Sequence, residues 1–449
     1  MIHGTADHAW EALTGEDEED RACERIPEEA CSEVPGNFAL NALNGTATKL
    51  AEQLASPGLV LPWILGAIGA PAALVGLLVP VRRAGSLLPQ LAIAGRIRAF
   101  ARRKWFWVGA GVTQAGALLA MIPALLLLPP AAAGGALVAL LALFSVASGV
   151  GSVAFKDVLA KTIPKGRRGT LLGVRATAGG LLAVVAALLL RTFLAEEDDL
   201  TPYVWLLTGA AALWLLGSLF FAGIREARGA TAGGRSALEE ARAGLAFVRK
   251  HPAFGRFVGA RALLLSAQLA APFYALQAQS VTGVGSANLA LFVMASSVAA
   301  VLASPFWGRF ADASARRVMV VGGVWTAVTV ALALGGALLE VAEWEATGSA
   351  VWGVALYGLV FFSSGFAVAG VRLGRKTYLV DAAPERERPL MVAVANTLVG
   401  VMYALSATLG FVADRIGVAT VLLVLGAMAA LGTLLAQRLP EADELIPGN

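Results

Sequence analysis

Apolar runs of membrane length follow one another along most of the chain, each ended by a short polar turn or by Pro and Gly. Twelve are readable. In the first half they cover about Asn37–Ser56, Pro71–Ile93, Phe106–Leu128, Ala133–Ala154, Leu171–Leu194 and Pro202–Ile224. In the second half they cover about Phe257–Gln277, Ala287–Trp307, Val318–Leu339, Ala350–Val371, Leu390–Val412 and Ala419–Leu435. The pattern predicts an all-α polytopic membrane protein with twelve transmembrane helices in two pseudo-symmetric six-helix bundles. Expected boundaries are an acidic tail (1–36), a first bundle (37–224), a polar linker (225–254), a second bundle (255–437) and a short tail (438–449). Within the linker, Leu238, Ala241, Leu245 and Val248 lie on one side of an amphipathic helix suited to a membrane surface.

Span one breaks the apolar rule. Asn37, Asn41, Asn44, Thr48 and Glu52 recur every three or four residues, a helical stripe, with Lys49 beside it. The stripe weakens at Ser56-Pro57, and a short apolar connection with Pro62 and Trp63 follows. Span two carries Arg82, Arg83, Ser86 and Gln90 inside its run. Ionisable residues at such depth are expensive unless they face a polar interior, so a cavity is expected here. The competing account is that these groups only hold helices together, Lys49 pairing with Glu52 one turn away.

Composition agrees with a membrane chain: 57% of the 449 residues are apolar, 15% are charged, and the mean hydropathy is +0.72. The net charge of +4 hides a segregation of signs. Acids crowd the first 36 positions, and Lys and Arg gather in the segments after spans two, four, six, eight and ten. Those after spans one, three, seven and nine carry none. The alternation predicts both termini in the cytoplasm and a multi-pass protein of the cytoplasmic (inner) membrane. Charges divided among loops do not make a nucleic-acid surface. Cys23 and Cys31 both lie in the acidic tail, so no disulfide framework, metal site or cofactor is expected, and no signal peptide is visible.

The turn after span eight, Gly308-Arg309-Phe310-Ala311-Asp312-Ala313-Ser314-Ala315-Arg316-Arg317, resembles the loop signature of the major facilitator superfamily. Gly308, Asp312, Arg316 and Arg317 fall on the signature's glycine, acid and basic pair, with Ala315 where a second glycine is usual. The repeat after span two keeps Gly95, Arg102 and Arg103 but has Ala99 in place of the acid. The resemblance implies a gating loop in which an acid holds one state closed. It also implies a cavity lined by spans one, four, seven and ten. Span five, LGVRATAGGLLAVV, lacks the proline of the antiporter signature, so a drug–proton antiporter is not implied. The segments PVRRAGSLLPQ and RRKWFWVG look like an uncharacterised bacterial branch of the superfamily, for which the resemblance supplies no substrate.

Candidate substrate-binding residues are therefore Asn41, Asn44, Thr48, Lys49, Arg82, Ser86, Gln268, Tyr274 and Asn396. Arg261, Gln277, Ser363, Ser364 and Tyr403 are further polar groups within the spans, and Pro272 marks a kink in span seven. Lys156 and Asp157 read as a solvated pair at the end of span four. Glu52 is the expected proton-coupling residue, being the one acid well inside the first half. An enzyme is not expected: His3, His8 and His251 lie outside the spans and no nucleophile–base set is readable. No phosphate-binding GxxxxGK[ST] loop exists, which favours ion-gradient energy over ATP. The expected function is secondary active transport of a small organic solute, best guessed as an amphiphilic anion, by a monomer in the lipid bilayer. A non-transporting receptor or assembly protein on the same fold is the alternative.

Overall fold

The structure is a computed structural model that describes residues 33–164, 167–193, 200–228, 248, 250–340, 350–382 and 388–442. The acidic tail, with its cysteines, and most of the amphipathic linker helix lie outside the described residues. Among the described residues the protein is entirely helical. The first half comprises α1 (Val34–Leu54), α2 (Val60–Ala67), α3 (Ala72–Arg98), α4 (Lys104–Leu127), α5 (Pro130–Thr162), α6 (Arg168–Phe193) and α7 (Thr201–Ala222). The second comprises α8 (Pro252–Leu263), α9 (Ser266–Leu269), α10 (Ala271–Thr282), α11 (Ser286–Ala313), α12 (Ala315–Glu340), α13 (Ala350–Ala382), α14 (Arg388–Leu405), α15 (Thr408–Ile416) and α16 (Val418–Gln437).

By length and composition, 11 of these helical units can cross a membrane. The remaining span is α1 with α2, where the polar stripe lowers the hydropathy and Pro57 and Gly58 interrupt the helix. The expected connection around Trp63 is thus a helix of its own, α2. Span seven is divided into α8, α9 and α10, and Pro272 stands in the first turn of α10, just after the break at Ala270, where its missing N–H breaks no hydrogen bond.

Each half repeats one pattern of neighbours. Spans one and six pack as α1 on α7, and spans seven and twelve as α8 on α16. Spans three and four pack as α4 on α5, and nine and ten as α12 on α13. The halves join through span two on span eleven (α3 on α14 and α15) and span five on span eight (α6 on α11). A two-fold operation exchanges these two contacts, which is the architecture of an internally duplicated transporter fold.

Val34 and Gln437 begin and end the described spans on one side, called here the terminal face. Asn37 on α1 exchanges hydrogen bonds with the Arg225 backbone just after α7, at 3.1 and 2.8 Å, tying first and sixth spans there. At the opposite face the halves are closed. Trp63 Nε1 and the Tyr203 hydroxyl both donate to the Val284 carbonyl, at 3.0 and 2.9 Å. Gln279 Nε2 donates to the Trp63 carbonyl at 2.8 Å. Below this closure α3 crosses α15 at Gly76 and Gly410, where a Cβ on either residue would collide with the other helix's backbone. Only a pair lacking side chains lets the halves approach so closely.

Candidate functional site

Two connected cavities open between the halves. The central one, about 340 Å³, is lined by Lys49, Glu52 and Gln53 of α1, Arg82 and Arg83 of α3, Phe144 of α5, Gln268 of α9 and Arg372 of α13. The second, about 500 Å³, lies towards the terminal face and shares Arg83 and Arg372 with the first. It adds Ser86, Lys156, Arg261, Arg375, Lys376, Asn396 and Tyr403.

In the central cavity Glu52 accepts from Lys49 Nζ at 2.7 Å and lies 3.8 Å from Arg82. Both accounts of this acid weighed from the sequence therefore hold in geometry: it pairs one turn away and it faces a cavity. Arg82 also stands over the Phe144 ring, 5.2 Å from its centroid, so its guanidinium is held between an anion and a π face. Gln53 reaches Ser297 of the other half at 3.4 Å.

The asparagine stripe goes elsewhere. Asn44 Nδ2 donates to the Gly217 carbonyl of α7 at 2.8 Å, and the Thr48 hydroxyl returns to the Asn44 carbonyl at 2.9 Å. Asn41 accepts from Arg175 of α6. All three are buried inside the first bundle and line neither cavity. Helical period grouped them correctly on one face, but that face meets spans five and six. Tyr274 is likewise packed in the apolar core, lining neither cavity. Ser86 and Asn396 line the terminal-face cavity. The Ser86 hydroxyl donates to the Arg83 carbonyl at 3.0 Å, and Asn396 accepts from Arg261 Nη2 at 2.8 Å. Gln268 accepts from the Tyr403 hydroxyl at 3.0 Å, spanning α9 and α14.

Four cations escaped the sequence reading. Arg372, Arg375 and Lys376 were expected in a loop after span ten, yet α13 continues to Ala382 and carries them on one face into the cavity. Lys156 is exposed, as expected of a solvated group, and lines the terminal-face cavity, but the ion pair of Asp157 is made with Arg103 at 3.0 Å. Arg175, the fourth missed group, lies across α1 at Gly45, where any Cβ would occupy the space of its side chain. It stacks 4.5 Å from the Phe155 centroid and donates to Asn41.

The gating loops find acids outside the signature. After span two, the Glu226 carboxylate accepts the Arg103 and Lys104 amides, each at 2.8 Å to one oxygen, and Lys161 Nζ at 2.7 Å. That is an N-terminal cap on α4 by a charge of favourable sign. Arg103 also takes Asp157, which supplies the acid that Ala99 lacks. After span eight, Arg316 pairs with Glu441 at 2.7 Å and donates to the Leu439 carbonyl, while the Arg317 amide meets Ser314 Oγ at 3.2 Å. Gly308 has open space at its Cβ position, Gly95 lies in the last turns of α3 and Arg102 is exposed. The Asp312 side chain lies outside the described residues.

Residues 257–447 match the family model of the Major Facilitator Superfamily. Uncharacterised proteins of Mycobacterium tuberculosis and Mycobacterium bovis are 29% identical over 300 residues, 65% of this chain and 56% of theirs. The match thus spans little more than half the length of these relatives. A crystal structure of a D-xylose–proton symporter superposes with a TM-score of 0.67 at 15% identity, covering 90% of this chain and 98% of that one. The inward-open xylose transporter of E. coli gives 0.65 at 15% identity, with 91% and 97% covered. A nucleoside transporter gives 0.63 at 13%, with 89% and 99% covered. The second half thus carries the sequence pattern of the Major Facilitator Superfamily, and the described chain shares the fold of these solved transporters.

Proposed function

We propose that the chain is a secondary active transporter that carries a small organic anion across the cytoplasmic membrane by alternating access. The observation that carries this reading is the convergence of Lys49, Arg82, Arg83, Arg261, Arg372 and Arg375, from both halves, on cavities that hold Glu52 as their one described carboxylate. A scaffold without cargo has no use for cations turned inward from four spans, because uncompensated charge at this depth is costly. Guanidinium groups flanked by Ser86, Gln268 and Asn396 suit a carboxylate or phosphate, which Arg can grip with two parallel bonds. The Lys/Arg bias of the loops supports a cytoplasmic terminal face, so the cavities open inward.

Glu52 supports proton coupling through competition. As carboxylate it is the counter-ion of Lys49 and Arg82. A proton taken up on its oxygen removes that counter-ion and leaves both cations to the incoming anion, so proton and anion bind together. The test is a panel of organic acids, amines and neutral sugars applied to proteoliposomes on a solid-supported membrane. At least one organic acid should evoke a transient current that Arg82→Gln abolishes. Responses confined to amines or neutral solutes would sink the reading.

A further inference from the structure

The terminal-face cavity holds more positive charge than a simple carboxylate can offset. Its lining includes Arg83 and Lys156 from the first half and Arg261, Arg372, Arg375 and Lys376 from the second, with no acid beside them. None of the six forms an ion pair with a carboxylate among the described residues, although Glu52 attracts Arg83 and Arg372 from the central cavity and Asp157 attracts Lys156. Topology alone would place such charges on loops, where water screens them. Here they project from helices: Lys156, Arg372 and Lys376 are exposed at the cavity, Arg83 and Arg375 are half-buried, and Arg261 is only 7% exposed. Two donors are stranded: Arg261 Nε and Arg375 Nη1 are buried with no hydrogen-bond partner. A buried donor without a partner calls for one, and in a cavity lined by cations an anion is a fitting partner.

The arrangement has two jaws. Arg372, Arg375 and Lys376 stand at i, i+3 and i+4, so one face of α13 presents all three. Arg83 repels Arg372 and Arg375 across the gap between halves, and Lys156 repels Lys376 in the same way. A single negative charge bound to one jaw would leave the other uncompensated.

We infer that this cavity is a binding site for a multiply charged anion, a phosphorylated or polycarboxylate organic solute, which bridges the Arg372–Arg375–Lys376 face of span ten to Arg83 and Lys156 of the other half. The inference rests on the transport reading above and narrows its substrate class. The bridging charge also removes the repulsion that holds the terminal face open, so occupancy favours its closure.

The test uses full-length protein in nanodiscs, with inorganic pyrophosphate, citrate and acetate as probes at matched ionic strength. Pyrophosphate and citrate should raise the thermal midpoint and acetate should not. Arg375→Gln and the more exposed Lys376→Gln should each weaken pyrophosphate binding about tenfold, the loss of one charge-assisted contact. Arg191→Gln, far away on α6, should bind as the parent does. An equal response to acetate, or unaltered binding by both vestibule variants, overturns the inference. A lipid headgroup offers the same chemistry, so discs of phosphatidylcholine are compared with discs containing phosphatidylglycerol. Stabilisation by phosphatidylglycerol with none added by pyrophosphate also overturns it. Transport of a monoanion together with no pyrophosphate or citrate shift would remove this inference and leave the proposed function standing.

Discussion

Glu226 and Glu441 occupy the same place in the two halves: each stands four residues beyond the last helix of its bundle, after Ala222 and after Gln437. Each reaches back to the loop between the second and third spans of its own half, Glu226 to Arg103 and Lys104 and Glu441 to Arg316. The burial differs, and so should the consequences. The Glu226 side chain is fully buried and holds three donors, so Glu226→Ala should cost about 3–5 kcal/mol by stranding Lys161 and two amides. The Glu441 side chain is 38% exposed, and Glu441→Ala should cost under about 1 kcal/mol. Unfolding midpoints of the two variants in one detergent check this; equal losses would contradict it.

Gly45 and Arg175 are a matched pair. Gly45→Ala should dislodge the guanidinium from Asn41 and Phe155 and destabilise the first bundle much as Arg175→Gln does. Residues that share one contact are not additive, so the double variant should fall short of the summed losses by about 1–2 kcal/mol. A double-mutant cycle on thermal unfolding reads the coupling, and additivity would show that the two do not act together.

Closure of the opposite face hangs on Val284, whose carbonyl takes two donors. Trp63→Phe with Tyr203→Phe removes both while keeping the rings. At about 1 kcal/mol for each bond, the ratio of the state open to the opposite face to the closed state should rise about thirtyfold. A single cysteine at Ala271, which lines the central cavity, should then react faster with a reagent confined to that side. An unchanged labelling rate would mean these bonds do not hold the gate.

Glu52→Gln should abolish proton-driven accumulation and leave substrate exchange, because exchange needs no net proton movement. Accumulation with its usual pH dependence would show that Glu52 is not the coupling residue. Arg82→Gln should weaken binding of the transported anion about tenfold or more and spare a neutral analogue; equal loss for both would sink the anion assignment.

The spans were readable because a bilayer demands an uninterrupted apolar run, and the chain supplies one almost every time. Span one is the exception, and its polar stripe was placed on a helix correctly. What lay opposite that stripe was not readable: periodicity shows that Asn41, Asn44 and Thr48 share a face but says nothing of Gly217 or Arg175, distant in sequence and adjacent in space. Arg372, Arg375 and Lys376 were misplaced for a related reason. A charge cluster ends an apolar run whether the helix stops there or continues into an aqueous cavity, and α13 continues. One signal was present and unused: an acid at a fixed distance after the last span of each half.

The vestibule has an electrical consequence. On the proposed reading, its fixed cations move with spans two, four and ten when the halves rock, and so cross part of the transmembrane field. Each full charge displacement is worth about 2.3 kcal/mol per 100 mV. The empty carrier, with these cations uncompensated, is then the more voltage-sensitive species, and the carrier loaded with a multiply charged anion moves less net charge. Charge movements recorded under voltage steps without substrate should shrink as the anion is added, because the cargo itself discharges the step that carries it.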